Sequence, residues 1–284
     1  VARYDLPVGT DAIKYMTERN ILRGSVHGLQ LEKKATTQQA TILATRFIKD
    51  TYALAQQGAK GVAWVVEDED TVVYLLGSIH LGTPDLYPFN EKLVTAFDES
   101  DALFVEANVL DEEGMEYYAE KAMYTGDSTL QNDISPETYA KLEQVAELYS
   151  LPIEQLAMQK PWVLSSALSL LAMDDSFGMT AEEMSMHGID VYFLLNALLQ
   201  EKPVRELEGI KAQVDMFSSL SPEAQEQSLV AVLDSVLQPS EENDSDILKQ
   251  WFASWKQGDV EAFAKSFQEM QGEGSEFDEM LFGK

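Results

Sequence analysis

Three short apolar runs, far apart in the chain, each stop at a residue able to hold a proton or a metal ion. Val72-Val-Tyr-Leu-Leu76 runs into Gly77 and, three residues later, His80. Ala102-Leu-Phe-Val105 ends on Glu106, and Pro203-Val-Arg-Glu-Leu207 ends on Glu208 before Gly209. Runs of this length, rich in β-branched and aromatic residues, read as strands. Long stretches with helical periodicity separate them, so the expected fold is α/β: a mixed β-sheet with a large helical portion. Ligands of such sheets gather outside the carboxyl ends of the strands. A single sheet aligning these three ends would gather one imidazole and two carboxylates in one crevice. The chain has three histidines and no cysteine, so a histidine in that zone stands out.

Other signals fill in the frame. Gly61-Val-Ala-Trp-Val-Val66 and the run from Val72 are joined by the acidic turn 67–70, which predicts a hairpin. A helix is expected across Asn90 to Glu99. Ser135-Pro136 and Ser221-Pro222 are helix starts, serine as N-cap and proline in the first turn. After the second, Leu229, Val232, Leu233, Val236 and Leu237 have the spacing of a core-facing stripe. Leu248, Trp251, Phe252 and Trp255, then Phe263 and Phe267, continue it beyond and read as core rather than as a cofactor box. The acids at Asp111, Glu112 and Glu113 read as a solvated helix face.

The first 56 residues read as a separate small helical N-terminal unit, with the main domain over 57–284. A short helix over Asp11–Asn20 would bury Ile13 and Met16. A loop carrying Gly24 and Gly28 follows, and Thr36 would cap a second helix with the apolar face Ala40, Leu43, Phe47 and Ile48. The formal net charge of −29 repels nucleic acid and anionic membranes, which argues against both as partners. Val163–Met173 is too short to span a bilayer. The lack of cysteine excludes disulfides and thiolate metal sites. The chain opens on Val1 rather than methionine and is read as a mature or fragmentary piece, which leaves room for an export signal outside it.

One imidazole and two carboxylates suit a borderline divalent cation such as Mn, Co, Zn or Fe. Such an ion lowers the pKa of a water and polarises a carbonyl, as hydrolysis requires. Each residue also has a plain local reading. His80 could be a hydrogen-bonded turn histidine, and Glu106 and Glu208 strand-end surface acids. His187 precedes an apolar helix that Asp190 could cap, and His27 sits in the loop of the first unit. Gly-x-Ser-x-Gly, P-loop and dinucleotide fingerprints are absent from the sequence, so a serine hydrolase, a P-loop NTPase and a Rossmann dehydrogenase lack support.

Leu75-Leu-Gly-Ser-Ile-His-Leu-Gly82 resembles the opening motif of the TraB/PrgY/GumN family, relatives of the TIKI metalloproteases. The likeness continues through Ala102–Asn108, Lys160-Pro-Trp162, Gly188-Ile-Asp-Val-Tyr192 with Ala197, Lys202–Gly209, Gln213 and Trp255–Asp259. It covers about residues 61–284. The resemblance implies a metal-dependent, TIKI-like peptidase architecture. Its Gly-x-x-His falls on Gly77 and His80, and its acids on Glu106 and Glu208. Metal would be held by His80, Glu106 and Glu208, with Glu106 and Glu208 also the catalytic acids; Gly77, Asp190 and Gln213 are motif positions. The family goes on to an Arg-Asn segment and a second Gly-x-x-His, whereas this chain stops at Lys284 without them. It is therefore expected to be truncated at the C-terminus, with an incomplete and inactive site if the ion needs that second histidine.

Residues 9–50 resemble one S-layer homology repeat, with Thr37 and Gln39 where that family carries arginine and glutamate. That resemblance implies a cell-wall polymer as a partner and an extracellular or cell-surface location of the Gram-positive type. Two functions compete: a surface metallohydrolase acting on peptides or proteins, and a non-catalytic peptide- or signal-binding module of the pheromone-shutdown type. A stress or envelope protein with no small ligand is a third, should the strand ends point to different faces.

Overall fold

The structure, a computed structural model, describes residues 11–55, 58–238 and 244–270. Residues 1–10 and 56 of the expected helical unit, and the chain end at 281–284, lie outside the described residues. The fold is α/β with a large helical portion. Backbone contacts divide it into two units. The first takes the described residues of Val1–Gly77, Pro84–Glu99 and Trp255–Asp259. The second takes those of Ser78–Thr83, Ser100–Ser254 and Val260–Lys284.

In the first unit, α1 (Ala12–Glu18) starts at Asp11, whose Oδ1 accepts from the N–H groups of Ile13 and Lys14. Before α2 (Thr37–Ala55), Thr36 and Gln39 form a reciprocal capping box. Both helices begin where the sequence says they should, but neither buries a residue. Ile13, expected inside, is 42% exposed, and Phe47 and Ile48 are exposed as well. The 3.6-residue period is real, but among the described residues the face is at most half-covered, at Met16 and Leu43. Strands β1 (Ala63–Glu67) and β2 (Val72–Leu76) pair antiparallel. Their turn is held by Asp68, whose Oδ1 accepts from the N–H groups of Asp70 and Thr71. Helix α3 (Glu91–Glu99) starts after Asn90, which accepts from Lys92 N–H. Trp255 is fully buried; its Nε1 donates to Gly77 O at 2.7 Å and its ring meets Phe89 edge-on.

The first strand of the second unit is β3 (Leu103–Val105). Helices α4 (Glu112–Ala122), α5 (Pro136–Leu148), α6 (Ile153–Leu156), α7 (Pro161–Phe177), α8 (Ala181–Ser185) and α9 (Ile189–Leu199) follow. Then come β4 (Val204–Glu206), α10 (Ile210–Ser218), α11 (Pro222–Leu237), α12 (Asp244–Gln257), whose residues from Trp255 on belong to the first unit, and α13 (Val260–Met270). Ser135 and Ser221 cap α5 and α11, with proline in each first turn as the sequence predicts. The core joins Leu142 and Val145 of α5, Leu164 and Leu168 of α7, and Leu229, Leu233 and Val236 of α11. A second cluster sets Trp162 and Val163 of α7 against Ile210 and Val214 of α10.

The expectation of one sheet aligning three strand ends is corrected. Among the described residues, β1 pairs with β2, and β3 pairs with β4 in a separate parallel pair. The short Asp68 turn lets the first two runs satisfy each other locally. The third and fourth are joined through the long helical segment between them, which parallel pairing requires.

Candidate functional site

The site is built within the second unit. Strands β3 and β4 pair with Val105 opposite Glu206, so both chains leave the ladder at the same end. The N–H of Leu207 donates to Val105 O, and those of Glu208 and Gly209 donate to Glu106 O at 3.1 and 2.9 Å. Glu106 and Glu208 therefore leave the carboxyl ends of a parallel pair, the zone where ligands of such sheets bind. Helix α10 follows at once. Ile210 and Val214 bury its apolar face, which leaves Gln213 to reach the acids. Gln213 Nε2 donates to Glu106 Oε1 at 2.8 Å and to Glu208 Oε2 at 3.3 Å.

His80 arrives by another route. It lies in a loop whose backbone is tied to the segment before α9. Ile189 N–H donates to Ile79 O at 2.9 Å, and Gly82 N–H to Met184 O at 2.8 Å. The approach is close enough to demand glycine on both sides. A Cβ on Gly82 would lie 1.9 Å from His187 O, and one on Gly188 would lie 2.5 Å from His80 O. On this clamp His80 Nδ1 sits 2.8 Å from Asp190 Oδ2, while Nε2 faces Glu106 Oε2 at 3.8 Å. Asp190 is largely buried at 16% side-chain exposure, whereas the imidazole is 66% exposed. The hydrogen bond to Asp190 raises the His80 pKa above the ordinary imidazole value. Burial opposes that shift, and the charges of Asp190 and Glu106 reinforce it.

Of the sequence candidates, His80, Glu106 and Asp190 come into direct apposition, and Gln213 joins Glu208 to them. Gly77 closes the hairpin of the first unit, its N–H donating to Val62 O at 2.8 Å. Asp190 is not the helix cap that its local sequence suggests. Gly188 occupies the N-cap position of α9 without a side-chain cap, and Asp190 stands in the first turn. Nothing near Asp190 in sequence announces a partner 110 residues away. A second role goes unannounced too: Glu206 Oε1 accepts from Asn108 N–H at 2.7 Å and ties the segment after Glu106 to β4. His187 Nδ1 lies 2.7 Å from Glu183 O, a local helix-end contact, and His27 sits in the exposed Ser25–Gly28 turn.

Among the described residues no three His, Asp or Glu side chains are gathered tightly enough to hold an ion as they stand. Two are. Ligand atoms bound at about 2.0–2.2 Å to one ion can stand as far apart as His80 Nε2 and Glu106 Oε2 do. Metal-ligating histidines commonly donate their other ring N–H to a carboxylate, and Asp190 is placed to receive it. One imidazole nitrogen and a carboxylate oxygen are donors of the kind a borderline cation takes, and Gln213 hydrogen-bonds Glu208 beside them.

The profile of the TraB/PrgY/gumN family matches residues 62–284. Over 182 residues the chain is 29% identical to "Uncharacterized protein YbaP" of Escherichia coli (strain K12), and equally to that of Shigella flexneri. These alignments cover 64% of the chain and span 63% of the relatives' length. No solved structure matches.

Proposed function

Because the chain belongs to the TraB/PrgY/gumN family, we propose that it is a metal-dependent hydrolase, a TIKI-like peptidase acting on peptides or exposed protein segments. The observation that carries this reading is the line Asp190–His80–Glu106–Gln213–Glu208, with its two glutamates at the ends of parallel strands. His80 Nε2 and Glu106 Oε2 would hold a divalent ion of the Mn, Co, Zn or Fe type, with Glu208 either a further ligand or the general base. When bound, the ion supplies Lewis acidity toward a carbonyl oxygen. The chain's own residues orient and move protons. Asp190 aims the imidazole, Gln213 spaces the two carboxylates, and a glutamate carboxylate takes the proton of the attacking water. Glu208 is the better placed for that last role, since Glu106 already faces His80.

The proposal extends to place. Residues 9–50 would serve as an S-layer homology-like unit, bringing the enzyme to a cell-wall polymer outside a Gram-positive type of cell. Two capped helix starts around a glycine-containing loop support it. No helix among the described residues is long and apolar enough to cross a membrane.

The test is metal content of the purified chain, followed by cleavage of a peptide library with and without added metal, in the native protein and in His80→Ala. Metal-dependent cleavage lost in the variant supports the hydrolase. Tight metal binding without turnover points to the second reading, a non-catalytic peptide-binding module. That reading draws on the absence of a third close donor among the described residues. Absence of both binding and cleavage rules the hydrolase out.

A further inference from the structure

Asp190 is not explained by the helix it belongs to. A capping carboxylate accepts from free backbone N–H groups of the first turn, yet α9 has no side-chain cap. Oδ2 is directed at His80 Nδ1 at 2.8 Å, and Oδ1 is buried without a hydrogen bond among the described residues. A buried carboxylate oxygen left unsatisfied costs stability, and such exceptions call for a reason beyond local structure. The surroundings are equally specific. Two backbone hydrogen bonds bracket His80, and two glycines stand where any Cβ would collide with the opposing backbone or its carbonyl.

We infer that Asp190 is a positioning residue: it holds the proton of neutral His80 at Nδ1 and leaves the Nε2 lone pair facing Glu106. A carboxylate can only accept, so a neutral imidazole must present N–H at Nδ1 to satisfy it. Nε2 then meets Glu106 Oε2 at 3.8 Å as acceptor against acceptor. With His80 neutral, that gap is unfavourable when empty and favourable when a cation stands in it. Asp190 thus makes the site cation-seeking by excluding the tautomer that would let Nε2–H donate to Glu106 and close the gap. The functional consequence rests on the proposed ligand role of His80; the tautomer does not.

The test therefore has two separate readouts on the chain. The first is long-range proton–nitrogen correlation NMR of metal-free protein, at a pH where His80 is neutral. The native protein should show a protonated Nδ1 and an unprotonated Nε2, and Asp190→Asn should shift His80 toward the other tautomer. The second is zinc titration calorimetry, where Asp190→Asn should weaken binding about 10- to 100-fold with little change in unfolding midpoint. A native His80 protonated at Nε2 overturns the inference, whether or not the variant folds. So does a native-like tautomer or native zinc affinity in a folded Asp190→Asn. A native protein that binds no zinc but shows the expected tautomer would sink the hydrolase and leave the role of Asp190 standing.

Discussion

Glu106 and Glu208, which follow two paired parallel strands, share one donor in Nε2 of Gln213. An amide between two acids fixes their spacing without adding charge. Both glutamates are exposed, so water replaces the lost hydrogen bonds readily when the donor is removed. Gln213→Leu should therefore shift stability by less than about 1 kcal/mol. Its effect on an ion held by Glu106 should be larger, about tenfold or more in affinity, as for other outer partners of metal ligands. Parallel denaturant unfolding and metal titration of this variant would separate the two effects. A stability loss with unchanged affinity would mean that Gln213 only braces α10.

The clamp around His80 makes a sharper demand. Gly188→Ala adds one methyl group, but its carbon would fall 2.5 Å from His80 O and 2.8 Å from Asp190 Oδ1. Backbone must move, because the first obstacle is a main-chain carbonyl. The expected loss is about 1–3 kcal/mol, the range for overpacking, together with a displaced imidazole. Comparing the unfolding midpoint of Gly188→Ala with that of Leu199→Ala provides the control. Leu199 is 81% exposed, and its truncation should stay within about 0.5 kcal/mol.

Much of this was readable in the chain, and the parts that were not share a cause. Ser135-Pro136, Ser221-Pro222 and the Leu229–Leu233–Val236 stripe are local patterns, and the structure follows them. Glu106 and Glu208 were legible as strand ends because an apolar run stopping at an acid is also local. Sheet membership was not, since register depends on which partner lies nearer. The acidic turn after β1 offers β2 a partner at once. The partner of Asp190 is hidden for the same reason. The residue's position in a first helical turn suggests a cap, and only tertiary contact directs it to His80 instead. Periodicity also overstates burial in α2, where Phe47 and Ile48 repeat correctly but stay exposed.

The stripe itself supplies a quantitative check. Leu233 is fully buried in the cluster formed by α5, α7 and α11. Leu233→Ala removes apolar contacts and leaves a cavity that the surrounding helices fill only partly, so it should cost about 2–5 kcal/mol. Chemical denaturation with an unchanged slope and a lowered midpoint is the expected result. A cost under about 1 kcal/mol would mean that the three helices do not pack as described.

The same helices carry a pH dependence with a definite sign. Glu226 of α11 faces the start of α5, where its Oε1 accepts from Ser135 N–H at 2.8 Å and Thr138 Oγ1 at 2.5 Å. Burial favours the neutral acid. The hydrogen bonds from Thr138 and Ser135 outweigh it and hold the carboxyl below the ordinary glutamate value. A carboxyl whose pKa is lower in the folded state stabilises the fold most above its unfolded value. That contribution fades as pH falls through the folded value, because the native state must then take up a proton it holds weakly. Glu226→Gln should lower stability near neutral pH by about 1 kcal/mol and flatten the acid limb of the stability curve. Unfolding midpoints measured from pH 7 down to the acid transition would show the two curves converging at low pH. If they stay parallel throughout, Glu226 is ionised alike in the folded and unfolded chains, and its bond to the α5 cap is not what holds these helices in register.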